Sequence, residues 1–138
     1  MDLAKAVTSV LAGLLAGMAS AQAGTIGVAA PLSGPSELLG RQIEAGASLA
    51  ANANGAALMV ADDACTAEGG RAAAQKFAEA KASTVIGFLC TEAIEAALPI
   101  LKEAGIPVIT VGVRTESLTD QREKTGWPLF RLAARGDD

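Results

Sequence analysis

The chain has 138 residues, of which 51% are hydrophobic and 19% charged, and it carries a formal net charge of −4 with no histidine and no tyrosine. This length suits one domain of ordinary size, the hydrophobic content is that of a folded chain, and the acidic balance argues against a nucleic-acid-binding surface. The absence of histidine excludes catalytic triads and metal sites that need an imidazole, and two cysteines are too few for a four-thiolate zinc site.

The first 23 residues are typical of an export signal. A lysine at position 5 precedes an apolar stretch at 6–18, and Ala-Gln-Ala at 21–23 is an A-x-A-type cleavage site. The apolar stretch is shorter than the roughly 20 residues that a transmembrane helix needs. We therefore predict a cleaved signal peptide at 1–23, a mature domain at 24–138 and a periplasmic location. An uncleaved anchor and an apolar core helix are the alternatives.

The mature sequence alternates strand-like and helix-like segments. Short apolar runs bounded by turn residues predict strands, and apolar residues at helical spacing predict helices between them. The predicted strands are 25–30, 56–60, 84–89, 106–111 and 129–133, and the predicted helices are 37–52, 67–80 and 92–104. Ser36, Thr66 and Thr91 stand where helix N-caps are expected. Pro99 is expected to kink or interrupt the third helix, because proline removes one backbone hydrogen bond.

Strands that alternate with helices of ten or more residues form right-handed βαβ units and a parallel sheet. The predicted fold class is therefore α/β, a doubly wound parallel sheet forming a single Rossmann-like lobe. Such sheets bind ligands beyond the carboxyl ends of their strands, at the topological switch point. This rule places a candidate site in the loops 32–36, 62–66, 90–91 and 112–115.

Export changes the interpretation of Cys65 and Cys90, because an oxidising compartment allows a disulfide to persist. The spacing does not resemble the C-x-x-C motif of a redox-active dithiol. A structural disulfide is favoured, and two free buried thiols remain the alternative. Closing the 24-residue loop between the two cysteines would stabilise the fold by roughly 3 to 4 kcal/mol in the chain-entropy model.

Few residues in these loops point to specific chemistry. The first loop lacks both the G-x-G-x-x-G fingerprint and the P-loop lysine, and we expect no cofactor. Asp62 and Asp63 could bind Mg²⁺ in a receiver-like or hydrolase-like site, or could simply cap a loop. Thr91 at a helix N-terminus offers an anion site or a helix cap, and Arg114 offers a partner for a carboxylate or a solvated loop residue. We find no catalytic constellation.

Four motifs, taken in order, carry a family resemblance. They are I-G-V-A-A-P-L-S-G-P at 26–35, D-D-A-C at 62–65, V-I-G-F-L-C-T at 85–91 and A-G-I-P-V-I-T-V-G-V at 104–113. The mature chain resembles the first lobe of the periplasmic solute-binding proteins of ABC transporters, of type I and of the branched-chain (leucine/isoleucine/valine) amino-acid-binding group. The resemblance implies a disulfide between Cys65 and Cys90. It also implies that the chain is not an enzyme and that a second lobe is absent.

The resemblance also implies a ligand-binding set. In the family a hydroxyl residue after the second cysteine binds the ligand's carboxylate or amino group, and Thr91 matches it. A loop after the fourth strand supplies a backbone carbonyl and a hydroxyl, and Val113 and Arg114 stand at those positions, so the carbonyl is retained and the hydroxyl is lost. An aromatic residue commonly covers the ligand where Leu39 stands. The implied ligand-contacting residues are Leu39, Cys90, Thr91, Val113 and Arg114.

The predicted function is the extracytoplasmic receptor component of an ABC transporter, binding an amino acid or similar small carboxylate. Arg114 would favour a second acidic group on that ligand. The expected partners are this small molecule and a transporter permease, and an exposed cleft face would favour self-association. Two alternatives stay open at this point: a ligand-sensing lobe that docks on a partner protein, and a Mg²⁺-dependent domain that uses Asp62 and Asp63.

Overall fold

Within the described part of the chain, five parallel strands form one sheet, in the order β2-β1-β3-β4-β5. The computed structural model describes residues 24–134 and 136, so the signal peptide predicted at 1–23 lies outside the described residues. The strands are β1 (Ile26–Ala30), β2 (Leu58–Asp62), β3 (Thr84–Gly87), β4 (Val108–Thr110) and β5 (Leu129–Arg131). The helices are α1 (Glu37–Asn54), α2 (Ala67–Glu79), α3 (Thr91–Glu103), α4 (Ser117–Asp120) and α5 (Arg122–Thr125).

The strand order reverses direction once, and this confirms the doubly wound α/β architecture. The chain steps from β1 to β2 in one direction and then returns past β1 to β3, β4 and β5. The switch point therefore lies between β1 and β3. Because each crossover is right-handed, α1 covers one face of the sheet, and α2 and α3 cover the other.

The main core lies between the sheet and the pair α2 and α3. Phe77 of α2 and Leu98 of α3 are fully buried there together with Val85 and Val108 of the strands. The two helices approach closely, because Gly70 has no side chain and a Cβ there would overlap the carbonyl of Ala93. None of the helices in the described part of the chain is long and apolar enough to cross a membrane.

Two local predictions were wrong for physical reasons. β3 ends at Gly87 rather than at 89, because Gly87 (φ 119°) and Phe88 (φ 53°) leave the extended region. The interruption expected at Pro99 does not occur, and α3 continues through it. Pro99 lies on the exposed side of α3, where the carbonyl of Glu95 that loses its bond can be solvated, while the apolar side of the helix stays packed.

Candidate functional site

The loops that follow β1, β2, β3 and β4 meet at the carboxyl edge of the sheet, as parallel pairing requires. The Cys65–Cys90 disulfide joins two of them, the loop before α2 and the loop before α3, with the two Cα atoms 5.2 Å apart. This confirms the predicted pairing. The bridge fixes the start of α3 relative to β2.

Asp62 caps the turn that follows β2. Its Oδ1 accepts hydrogen bonds from the backbone N–H of Leu32 (2.7 Å) and of Ala64 (2.8 Å). Partial burial tends to raise the pKa of this carboxyl, but hydrogen bonds from the Ser33 hydroxyl and from these backbone groups outweigh it and hold the pKa below its usual value. The charged carboxylate thus links the loop after β1 to the loop after β2.

Asp63 has a different environment from its neighbour. It is fully buried, its Oδ1 accepts a hydrogen bond from the N–H of Cys65 (2.9 Å), and its Oδ2 has no hydrogen-bond partner among the residues that the structure describes. Burial raises the pKa of this carboxyl, and the charge of Asp62 raises it further, against the opposing bond from Cys65. Because one carboxylate caps a turn and the other is buried, the pair does not present two free carboxylates to an ion. Within 24–134 and 136, no group of three potential metal ligands is found.

Thr91 is the first residue of α3, and Cys90 rather than Thr91 occupies the N-cap position. The predicted capping role of Thr91 is therefore wrong. Its hydroxyl oxygen lies 2.7 Å from that of Thr115, in the loop that follows β4. The two hydroxyls face each other across neighbouring loops, because β3 and β4 are adjacent in the sheet. The first backbone N–H groups of α3 lie at the same edge and have no partner within the helix.

The loop after β4 is held from inside the sheet. The buried hydroxyl of Thr110 donates to the carbonyl of Phe88 (3.2 Å) and accepts from the N–H of Val113 (3.3 Å). Val113, backbone included, is 2% exposed and belongs to the core, so little of it is open to a ligand. The Arg114 side chain is exposed.

Arg131 holds the same loop from outside, although no sequence motif marks it. Its guanidinium donates to the carbonyls of Arg114 (3.1 Å) and Thr115 (3.3 Å) and to the hydroxyl of Thr119 (2.8 Å). Thr115 lies within the predicted loop 112–115 but was not singled out, although a hydroxyl residue directly follows Arg114 in the sequence. The contacts of Arg131 cross 12 to 17 residues, and no local pattern indicates them.

Leu39 lies in the first turn of α1, just after the loop that follows β1, and is 49% exposed. The structure thus brings Cys90, Thr91, Val113 and Arg114 together on the loops after β3 and β4, while Leu39 belongs to the neighbouring loop region across the switch point. The hydroxyls, the start of α3 and an exposed arginine make this edge suited to a small anion or carboxylate.

Three comparisons bear on this arrangement. The family model described as periplasmic binding protein matches residues 24–134. An amino acid binding protein of Pseudomonas aeruginosa is 35% identical in an alignment of length 122, and the match covers 81% of this chain and 32% of that protein. The chain thus spans about a third of the length of the relatives it matches.

Solved structures agree in fold. The branched-chain amino acid transporter substrate binding protein LivJ of Streptococcus pneumoniae, in complex with isoleucine, has a TM-score of 0.70 at 23% identity, with 83% of this chain and 34% of that chain covered. A solute binding protein of an ABC transporter from Rhodopseudomonas palustris, in complex with 3,4-dihydroxybenzoic acid, has a TM-score of 0.71 at 23% identity, with 80% and 32% covered.

Proposed function

The chain belongs to the periplasmic binding protein family, and from this premise we propose that it is a ligand-binding lobe of an extracytoplasmic solute receptor that serves an ABC transporter. The mature domain would be 24–138, exported by a cleaved signal peptide and working with a permease. The observation that carries the proposal is the Thr91–Thr115 hydroxyl pair at the carboxyl edge of β3 and β4, beside the start of α3.

The pair supplies what a carboxylate needs. A hydroxyl is both a donor and an acceptor, so one threonine donates to the other at 2.7 Å, and the proton of the accepting hydroxyl can turn towards an incoming oxygen. The positive end of the α3 dipole favours negative charge at the same place. We propose that Thr91 binds the ligand's carboxylate and that Thr115 supplies the hydroxyl that Arg114 lacks.

The ligand class follows from this chemistry. Isoleucine and 3,4-dihydroxybenzoic acid, which two solved relatives bind, differ in shape but share a carboxylate. We propose a small carboxylate as the ligand. The exposed Arg114 would set specificity by favouring a second acidic group on the ligand. The carbonyl of Val113 would accept a hydrogen bond from an amino or hydroxyl group. Leu39 and Cys90 would border the ligand.

One lobe leaves much of a ligand exposed, whereas binding sites usually bury 70–90% of a small ligand's surface. We therefore expect weak binding by the described lobe alone. NMR titration suits this regime, because chemical shifts report fast, weak binding at named residues. The panel comprises isoleucine, glutamate, 4-hydroxybenzoate and 3,4-dihydroxybenzoate.

Thr91→Val is the test variant, and Thr84→Val is its matched control. Thr84 is the first residue of β3, at the end of the strand away from Thr91. Its hydroxyl also makes one hydrogen bond, to the carbonyl of Pro107 (3.0 Å), so each variant loses one such bond. We expect saturable shifts at Thr91 and Thr115 that Thr91→Val weakens about tenfold and Thr84→Val leaves unchanged. Equal weakening by both variants, or shifts confined to other parts of the lobe, would contradict the proposal.

The alternatives are less well supported by the geometry. A Mg²⁺-dependent site needs the carboxylates of Asp62 and Asp63 together, but Asp63 is buried and Asp62 is engaged by two backbone N–H groups. A ligand-sensing lobe that docks on a partner protein would use the same hydroxyl pair. The two functions differ in the partner that the ligand-bound lobe contacts, which is a permease in one case and another protein in the other.

A further inference from the structure

The chain contains one asparagine–glycine step, at the C-terminal end of α1. Its two asparagines are Asn52 and Asn54, and only Asn54 is followed by glycine. Asparagine is among the chemically labile residues of proteins, because the next residue's backbone nitrogen can attack its side-chain carbonyl carbon. Glycine has no Cβ to obstruct that attack. In the unfolded chain this reaction is therefore fastest at position 54.

The structure exposes this step to water. Asn54 is the last residue of α1, Gly55 follows it as the C-cap, and both are exposed. A Cβ at Gly55 would meet no described atom within 4 Å beyond its chain neighbours. In the last turn of α1 only Ala51 is buried, and no basic side chain there offsets the helix dipole. Such a helix end opens more easily than the core does.

The folded end of α1 keeps the two reacting groups apart. The side-chain Nδ2 of Asn54 donates to the carbonyl of Ala50 (2.8 Å). The N–H of Gly55 donates to the carbonyl of Ala51, which also accepts from the N–H of Ala56 (3.0 Å). Ring closure requires the Asn54 ψ angle to leave the helical range near −42°, so these three hydrogen bonds must open first.

We infer that Asn54 is a site of spontaneous deamidation whose rate is controlled by opening of the last turn of α1. In the open turn the Gly55 nitrogen loses its proton to hydroxide and attacks Cγ of Asn54. The new N–Cγ bond closes a five-membered succinimide ring. The Cγ–Nδ2 bond breaks, and the leaving nitrogen takes a proton from water and departs as ammonia. Water then opens the ring at either carbonyl, which gives aspartate or isoaspartate.

The product weakens the helix end that protects the asparagine. Aspartate at position 54 places a negative charge at the negative end of the α1 dipole, and the Nδ2 donor to the carbonyl of Ala50 is lost. Isoaspartate also adds one methylene to the main chain shortly before β2, where the carbonyl of Ala57 accepts from the N–H of Ile26 (2.9 Å). Deamidation should therefore loosen the end of α1 and the start of the β1–β2 pairing.

The test follows the conversion by peptide mapping with mass spectrometry, at mildly alkaline pH in water labelled with heavy oxygen. It compares the folded chain with the chain unfolded in urea. Each hydrogen bond that must open is worth about a factor of five, so the folded chain should convert about a hundredfold more slowly. Asn52 is the internal control, because it is exposed in the same turn but is followed by alanine. It should stay unconverted while Asn54 reacts.

A pair of variants at position 52 tests the control by the helix. Asn52→Ala and Asn52→Gly leave the reacting residues unchanged and differ in helix propensity, which corresponds to about a fivefold difference in opening. Asn54 should convert about fivefold faster in folded Asn52→Gly than in folded Asn52→Ala, and equally fast in urea. Asn54→Asp carries one of the two products. It should speed the amide exchange of Ala56 and leave that of Leu98, in the core, unchanged.

Three results would overturn the inference. In the first, Asn54 converts as fast in the folded chain as in urea, so the helix end gives no protection. In the second, the two folded variants at position 52 convert at the same rate, so opening of the last turn does not control the reaction. In the third, the heavy-oxygen label enters the same peptide of Asn54→Gln, which would place the reaction at another residue.

Discussion

Reduction or removal of the Cys65–Cys90 disulfide should weaken the domain by an amount that its loop length sets. The two cysteines are separated by 25 positions, and the chain-entropy relation gives about 3.5 kcal/mol at 25 °C for a loop of that length. With an unfolding entropy of about 2.1 cal/mol/K per residue over roughly 110 residues, this corresponds to a fall in Tm of about 15 °C. Folded domains typically have a free energy of unfolding of about 5–15 kcal/mol. The reduced form should therefore remain folded, with a much smaller free energy of unfolding.

The assay is urea unfolding of the oxidised protein, the reduced protein and the Cys65→Ala/Cys90→Ala double variant, followed by far-UV circular dichroism. The reduced protein and the double variant should agree, and both should have a lower unfolding midpoint. A loss below about 1 kcal/mol would refute the entropic argument. A loss that appears only in the slope against urea would mean that the disulfide acts on the compactness of the unfolded chain.

Two further predictions concern buried and loop contacts near the site. Because burial raises the pKa of Asp63, the folded state holds the proton of this carboxyl more tightly than the unfolded chain does. The free energy of unfolding of the wild type, relative to that of Asp63→Asn, should therefore fall as the pH rises from about 4 through that raised pKa. Asp62→Asn should show the opposite trend, since the pKa of Asp62 is lowered, and parallel pH profiles for the two variants would contradict both assignments. Arg131→Met removes three hydrogen bonds to the loop after β4 and should cost about 2 kcal/mol while shifting the amide resonance of Thr115. Arg131→Lys should restore part of the stability, and an unchanged Thr115 resonance in Arg131→Met would show that the loop does not depend on this residue.

Much of the fold could be predicted from the sequence, because its local signals agree with its packing. Thr66 illustrates this: its hydroxyl accepts from the N–H of Gly69 (3.0 Å), and α2 begins directly after it. Strand ends were less predictable. Gly87 and Phe88 continue an apolar run, but their positive φ angles end β3, and the sequence pattern does not encode that bend.

The candidate site was only partly predictable. Thr91 could be identified because a residue type and a family motif coincide there. Thr115 depends on the path of the loop after β4, which is set by the buried hydroxyl of Thr110 and by the guanidinium of Arg131. Both contacts are tertiary and leave no sequence signal. The family's hydroxyl position was therefore aligned with Arg114, whereas the hydroxyl that faces Thr91 belongs to Thr115, one residue later.

β4 connects the sheet to the candidate site. It has only three residues, with Ile109 partly exposed and Thr110 buried. Thr110 fixes Val113 and thereby the loop that carries Thr115. Local opening is easiest where few apolar contacts hold an element, and β4 is short and partly exposed on one face. Ligand binding must therefore also supply the cost of ordering the loop that carries Thr115.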